Sequence, residues 1–483
     1  MTAEEGDHSE QSRLLSSAAD GQDSSYSACS EPGDGAAQPG EGGPPAPLSR
    51  EQRLLLACLC AGSLLGGCLV ALMIPFFPVE AARRGVSETV TGAVFSCFAA
   101  TQLLTYPAVG RAVPRLGVTR SYSAGLLLAA LSTAAFGLLP LIADTTAFIA
   151  ACFVTRAVEA VATCFINTAS LTVVAHRFPG RTNTAIGTIE TMTGVGVSLG
   201  PAVGGGLYRL AGYGLPFYAL GGLLAAAAAV TGALMPSVAP PERRAGPLWP
   251  LVRVLLTTGE AWLCCLVLLA VSMNWTAIDP GIGPYVLSAV GVSPSELGLF
   301  FLGATGTFCV FSLAWGRLHD RVRNTYLLVT PCLLGAAGGL LLMAPSPLLP
   351  LPPSRWLLGV GMTLKELCQG GAYIPIFSRL LMACTRGGLD SSVHTQAFVS
   401  SAFWTVFSVG NVVGPTVGGA LIDRWSFPVL TTALAGFSVL AAAASGAQAL
   451  RIQLALNREP VVRRETEADR PDGDQTARRS EEG

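Results

Sequence analysis

The chain has 483 residues, of which 51% are apolar and only 13% are charged, and its formal net charge is −1 at pH 7. Soluble domains carry about 25% charged residues, so a water-faced globular protein is excluded. The balanced charge leaves no basic excess to hold nucleic acid.

Residues 1–50 are rich in Gly, Pro, Ser and acids and have little to bury, which predicts a disordered tail. No cleavable signal peptide is expected, because a long polar stretch precedes the first apolar run. Within this tail, Glu10-Gln-Ser-Arg-Leu14-Leu15 fits the acidic dileucine pattern D/E-x-x-x-L-L/I. Such a pair exposed in a polar tail resembles signals read by clathrin adaptors, which send membrane proteins to vesicles.

Apolar segments long enough to cross a bilayer as helix follow. They cover 54–76, 89–109, 121–142, 147–174, 183–207, 215–235, 258–287, 295–316, 325–344, 355–380, 395–421 and 428–450. An even number of spans puts both chain ends on one side. The short loops on that side carry Arg111, Arg115, Arg120, Arg177, Arg181, Arg243, Arg244, Arg253, Arg317, Arg321, Arg323 and Arg386. The opposite loops carry Arg83, Arg84, Arg209 and Arg424. Positive residues stay inside, so both tails, 1–50 and 452–483, are expected in the cytosol.

An internal repeat sets the architecture. Residues 196–205 read G-V-S-L-G-P-A-V-G-G and residues 410–419 read G-N-V-V-G-P-T-V-G-G, an offset of 214. Gly110 with Arg115 matches Gly316 with Arg321 at 206, and Pro216 matches Pro428 at 212. The fold class expected is an all-α membrane protein of twelve transmembrane helices in two parallel six-helix repeats. The halves are 51–235 and 258–451, joined by a Pro-rich cytosolic linker, 236–257. A monomer in the lipid bilayer is expected.

An ionisable side chain at the bilayer centre costs about 2.5–3.5 kcal/mol on insertion scales, so each needs a reason. Arg156 and Glu159 are three apart and share a helix face. They form either a local ion pair that lets the fourth span insert, or part of a proton relay. Glu190 has no basic neighbour on its own helix. Desolvation disfavours the charged form of such a carboxylate, which suits a proton carrier. Asp279 precedes Pro280, Gly281, Gly283 and Pro284, a helix break of the kind that lines a cavity. A carboxylate there suits an ammonium ligand, and the bland alternative is an ordinary helix-end acid. Lys365, the one lysine in the chain, sits at offset 209 from Arg156. Adjacent Glu366 points about 100° away on a helix, so the two need not pair. Tyr373 falls where it can face the same cavity as Glu366. Glu260 and His394 lie near helix ends and receive little weight.

Most of the thirteen cysteines fall inside apolar runs and read as small packing residues, with no metal-ligand spacing. The glycine run 200–206 lacks the Lys-Ser/Thr and flanking strand of a phosphate loop, so helix packing explains it. No cofactor, metal or catalytic residue is expected. Asn274-Trp275-Thr276 is a formal glycosylation sequon inside a span and is expected to be unused.

Gly196-x-x-x-Gly200-Pro201-x-x-Gly204-Gly205 resembles the antiporter signature of the major facilitator superfamily. Gly316-Arg317-Leu318-His319-Asp320-Arg321 resembles its loop motif, whose first-half copy carries Pro114 in place of the acid. Arg156-Ala-Val-Glu159 resembles the family's third motif, with Glu159 in place of a Gln. Ile74-Pro75-Phe76-Phe77-Pro78, Asp279-Pro280 and Glu190 resemble the vesicular amine and polyamine transporter branch, and the vesicular polyamine transporters above all. The likeness covers about 48–450 and departs at Lys365 and Glu366. The first span also lacks the acid that monoamine carriers use for substrate. The resemblance implies proton-coupled antiport of an organic cation into secretory, synaptic or endolysosomal vesicles, and no enzyme activity. Asp279, Glu159, Glu366 and Tyr373 would bind the cation, and Glu190, Glu159 and Arg156 would couple protons. The other readings are a sensor or scaffold that no longer transports, and a transporter of a different small solute.

Overall fold

A computed structural model describes residues 47–236, 248–292, 294–347 and 349–468. The dileucine pattern of Glu10, Leu14 and Leu15 lies outside the described residues. No strand occurs among them. The first half comprises α1 (Arg50–Arg83), α2 (Glu88–Leu116), α3 (Val118–Leu138), α4 (Thr145–Arg177), α5 (Thr182–Ala211) and α6 (Gly214–Leu234). A short helix, α7 (Leu248–Thr257), occupies part of the segment expected as a linker. In the second half, α8 (Gly259–Thr276) and α9 (Asp279–Tyr285) make one broken span, followed by α10 (Pro294–Arg321) and α11 (Tyr326–Met343). Another broken span, α12 (Arg355–Tyr373) with α13 (Ile376–Arg386), precedes α14 (Val393–Arg424) and α15 (Phe427–Ala468).

Among the described residues, ten helices are long and apolar enough to cross a membrane. The helix α5 and the α12–α13 pair fall short because Thr, Gly and Glu190 fill one and Lys365, Glu366 and Gln369 the other. Two expected ends moved. The first helix runs past residue 76 to Arg83, where Arg84 pairs with Glu80 (3.1 Å) and donates to the Pro140 and Ile142 carbonyls. The last helix continues past 451 to Ala468, since elongating a formed helix is far cheaper than starting one.

The glycine repeat builds the same joint twice. In α5, a Cβ on Gly196 or Gly200 would strike the α1 backbone at Leu64 or Cys68. In α14, a Cβ on Gly410, Gly414 or Gly418 would strike Ser272, Thr276 or Ala277. Bare glycines let these backbones approach closely, as membrane helices without a hydrophobic drive between them require. The remaining packing repeats too: α3 meets α4 and α6, as α11 meets α12 and α15, and α2 meets α4, as α10 meets α12. Between the halves, α5 packs on α10 and α2 on α14, two contacts related by the repeat.

We call proximal the side from which α1 starts. There the halves are sealed. Asp320, at the end of α10, accepts from the Asn183 N–H (3.1 Å) and the Thr184 N–H (2.8 Å) at the start of α5. Helix N-termini present unpaired N–H groups and a partial positive charge, so a carboxylate from the other half caps α5. Gly187 and Gly194 of α5 pack on Ser312 and Cys309 of α10, and Thr191 donates to the Cys309 carbonyl (2.9 Å). Further distally, Gly205, Gly303 and Gly306 have open space beside them, so this seam parts toward the distal side. The related seam lacks the cap. Pro114 stands at the Asp320 position, and α14 is capped locally by Ser392 and Asp390. Those hydroxyls, Thr395 first, hold the Asp390 carboxyl below the usual range.

Glu260 joins α8, α11 and α13 at the proximal end. It accepts from Arg379, from Arg386 (3.2 Å) and from the Tyr326 hydroxyl (3.2 Å). Its placement near a helix end gave it little weight in sequence, because its partners lie far along the chain.

Replacing Asp320 with Asn removes the charge from the α5 cap. Two charge-assisted bonds are worth about 1.5–3 kcal/mol each, so the proximal seal should loosen. In a background without other cysteines, a Cys replacing Ser401, which abuts Gly110 in the companion seam, should label faster from the proximal side. Unchanged labelling would show that Asp320 does not hold the seal.

Candidate functional site

A cavity of about 570 Å³ lies mid-membrane between the halves. The first half lines it from α1, α2, α4, α5 and α6, and the second from α8, α9, α10, α12 and α14. Its floor is the sealed proximal side.

Four of the predicted ionisable residues line this cavity: Glu190, Asp279, Lys365 and Glu366. Glu190, half-buried on α5, accepts a hydrogen bond from the Tyr373 hydroxyl at 3.2 Å. That bond crosses between the halves. Tyr373 is the last residue of α12, and the helix breaks there before resuming at Ile376. Trp315 donates to the Leu367 carbonyl (2.9 Å) and His319 bonds the Gly371 carbonyl (2.8 Å), which fixes the approach to the break from α10.

Asp279 opens α9, after an interruption at Ala277 and Ile278. Pro280 brings no N–H to the ladder, so the interruption follows from the chemistry of the ring. Asp279 is exposed to the cavity. Lys365 and Glu366 are adjacent, and a divergence was expected. They pair instead, Nζ to Oε1 at 2.8 Å, because the long lysine stem folds along its own helix. Lys365 also donates to the Asn274 carbonyl (3.3 Å), and the Trp275 indole donates to the other Glu366 oxygen (2.9 Å). Glu366 is therefore already matched, while Asp279 faces open space.

Arg156 and Glu159 sit elsewhere. They form a buried pair at 2.6 Å on α4, and neither lines the central cavity. Glu159 borders a small gap inside the first half, beside Leu69, Met73 and Phe136. The arginine lies 4.4 Å from the Phe98 ring, whose residue does line the cavity, so Arg156 stands one layer behind the wall. The expected contact of Glu159 with substrate thus has no support in its position, since the i,i+3 spacing satisfied it locally. Gly196 and Gly200 serve the α1–α5 joint, Gly204 is buried, Gly205 has open space beside it, and Pro201 lies within α5. Asn274 of the sequon is fully buried and donates to Ser438 (2.9 Å).

The wall also carries aromatic rings, of which only Tyr373 stands out in the sequence. Trp275 packs edge-on against Tyr373, Phe308 and Phe407 with ring centroids 5.3–5.9 Å apart. Across the seam, Tyr106 of α2 stacks on Trp404 of α14 at 6.1 Å and accepts from the Asn167 amide (3.0 Å). Aromatic residues also face lipid, so without the fold these carry no signal. The lining thus holds aromatic rings and three carboxylate side chains against one lysine. No group of His, Cys, Asp and Glu fit to hold a metal occurs among the described residues.

The chain matches the Major Facilitator Superfamily family model over residues 59–272 and again over 264–471. It is 31% identical to the MFS-type transporter SLC18B1 of Mus musculus over 387 residues, 79% of this chain and 82% of that protein. It is 24% identical to a probable vesicular acetylcholine transporter-B of Danio rerio over 419 residues, 82% of this chain and 79% of that one. The crystal structure of the human organic anion transporter MFSD10 (TETRAN) superposes with a TM-score of 0.66 at 16% identity, covering 82% of this chain and all of that one. At that identity the likeness is one of fold alone.

Lys365→Met would strand the Glu366 carboxylate in the wall, a change that costs about 3–5 kcal/mol for a buried pair. Lys365→Met with Glu366→Gln should recover most of that loss. Thermal unfolding of the three proteins in one detergent checks this. Equal stability of the single variant and the parent would mean that the pair contributes nothing.

Proposed function

The chain belongs to the major facilitator superfamily, and on that premise we propose that it is a proton-coupled antiporter that moves an organic cation, a polyamine or monoamine, into acidic vesicles. The observation that carries this reading is the cavity charge. Three carboxylates face one ammonium, and Lys365 is already held by Glu366. An ammonium leaving water for such a space needs a fixed opposite charge. Asp279 supplies it beside the break in its span, and Trp275, Tyr373 and Phe407 supply π-faces for the rest of the cation. The likeness to a protein named for vesicular acetylcholine transport, which acts on a cation, supports the class.

Glu190 is the proton carrier in this mechanism. Its bond to Tyr373 links α5 to the broken span of the second half, so its protonation changes a contact between the halves. The arginine excess orients the proximal side to the cytosol, and the seam that parts distally then faces the lumen. In the acidic lumen Asp279 and Glu190 take up protons, lose their pull on the cation and release it. When the cavity faces the cytosol the protons leave and a new cation enters. Arg156 backs the wall behind Phe98, and the Arg156–Glu159 pair keeps α4 insertable. The distinguishing test is uptake of labelled amines into proteoliposomes with an acidic interior, and no uptake across a panel of amines would leave a sensor or a carrier of another solute.

Two substitutions separate the roles. Asp279→Asn keeps the shape and removes the charge, so affinity for the transported amine should fall about tenfold or more, the worth of a charge-assisted bond of roughly 1.5–3 kcal/mol. Asp279→Glu should keep part of it, and unchanged affinity for every cationic amine would overturn the cation reading. Glu190→Gln mimics the protonated form permanently. It should abolish accumulation driven by the pH gradient while the protein still folds and reaches its membrane. Normal accumulation would remove Glu190 from the coupling.

Delivery to vesicles through Glu10, Leu14 and Leu15 has its own check. Leu14→Ala with Leu15→Ala should move the protein toward the plasma membrane, seen by microscopy of the tagged chain, whereas an unchanged pattern would reject the signal and leave transport untouched.

A further inference from the structure

The degraded loop motif of the first half borders a second pocket that transport does not use. It has a volume of about 380 Å³ and lies at the proximal ends of α2 and α3, where Phe165 of α4 meets them. Arg115, Arg120 and Ser121 supply its polar lining, and Leu116, Leu128 and Phe165 its apolar lining. Both arginines are exposed. No acid occurs in the sequence between Glu88 and Asp144. Among the described residues, no carboxylate forms an ion pair with Arg111, Arg115 or Arg120. Pro114 stands where the second half keeps an acid, Asp320.

Ser121 is the second observation. It is 1% exposed, lines the pocket, and its hydroxyl has no hydrogen-bond partner among the described residues. A buried polar atom without a partner is costly and points to a missing one. The first turn of α3, which begins after Gly117, also has no side-chain cap. Two guanidiniums and a hydroxyl together match a phosphate. The apolar share of the lining decides what carries that phosphate. Below the pocket, α3 continues outward with exposed Leu127 and Leu131, a strip for a hydrocarbon chain.

We propose that this pocket binds the phosphate headgroup of an anionic phospholipid, with an acyl chain along the outer face of α3. Arg115 and Arg120 hold the charge, and Ser121 donates to a phosphate oxygen. With the proximal side in the cytosol, as argued above, the site faces the leaflet in which anionic lipids concentrate. Binding itself does not depend on that orientation or on the transported solute.

The full chain purified in detergent tests it, through the thermal unfolding midpoint and native mass spectrometry. The probes are dioleoyl phosphatidylglycerol, dioleoyl phosphatidylcholine and inorganic phosphate. The anionic lipid should raise the midpoint saturably and stay bound, while the zwitterionic lipid and phosphate should do neither. Arg115→Gln with Arg120→Gln should weaken the anionic lipid about thirty-fold, the joint share of two juxtamembrane cations. Arg115→Lys with Arg120→Lys should retain most binding, which separates lost charge from lost folding. Ala124→Trp, at an exposed position of the pocket, should block the lipid with both arginines present. An equal midpoint shift from phosphate alone would make this a free-anion site and overturn the lipid assignment. So would equal retention of phosphatidylcholine, or undiminished binding by the glutamine variant.

Discussion

A charge left unpaired in hydrocarbon is the constraint on which this molecule turns. Each deep ionisable group meets it in its own way. Arg156 and Glu159 cancel on one helix, with the guanidinium against Phe98. Lys365 takes Glu366, which Trp275 also holds. Glu260 gathers two arginines and a tyrosine at the proximal end. Glu190 keeps only a neutral hydroxyl, and Asp279 faces the cavity. In the proposed mechanism these last two acids are the ones that exchange a proton or a cation.

The close joints follow from the absence of a hydrophobic drive between helices in lipid. Glycines at one spacing bring α5 against α1 and α14 against α8, and the two halves inherit the same packing. The symmetry is broken at the proximal seams. Among the described residues, only the α5–α10 seam carries a cap from one half to the other, through Asp320. At the companion seam α14 is capped by its own neighbours, and Gly110 closes it by contact with Ser401. With Pro114 in place of an acid, the companion seam has no counterpart of the Asp320 cap among the described residues.

The cavity combines two kinds of recognition. In the proposed mechanism carboxylates set the sign of the ligand, and rings set how its body lies. The rings also join the helices that must move: Tyr106 with Trp404 across one seam, and Tyr373 with Phe403 and Phe407 behind the bond to Glu190. Occupancy of the cavity and the packing of the seams are therefore coupled through the same side chains.

Helix number, the parallel repeat and the polar positions in the spans were legible in the sequence. Bilayer thickness fixes segment length, and an internal copy repeats its glycines at a constant offset. Asp279 and Glu190 were legible for a related reason, because a charge stands out in an apolar run and Asp279 precedes a proline that must break the ladder. Pairing was not. Lys365 meets its own neighbour, Glu159 is closed off inside one half, and Glu260 collects Arg379 and Arg386 from more than a hundred residues away. Apart from Tyr373, the aromatic lining was equally hidden, since a ring facing lipid and a ring facing a cavity look alike along the chain. Sequence determines which groups lie at membrane depth, because local hydropathy does that. Which of them meet, and which remain open to a ligand, only the tertiary structure decides, because partners across a helix bundle are set by packing and not by spacing.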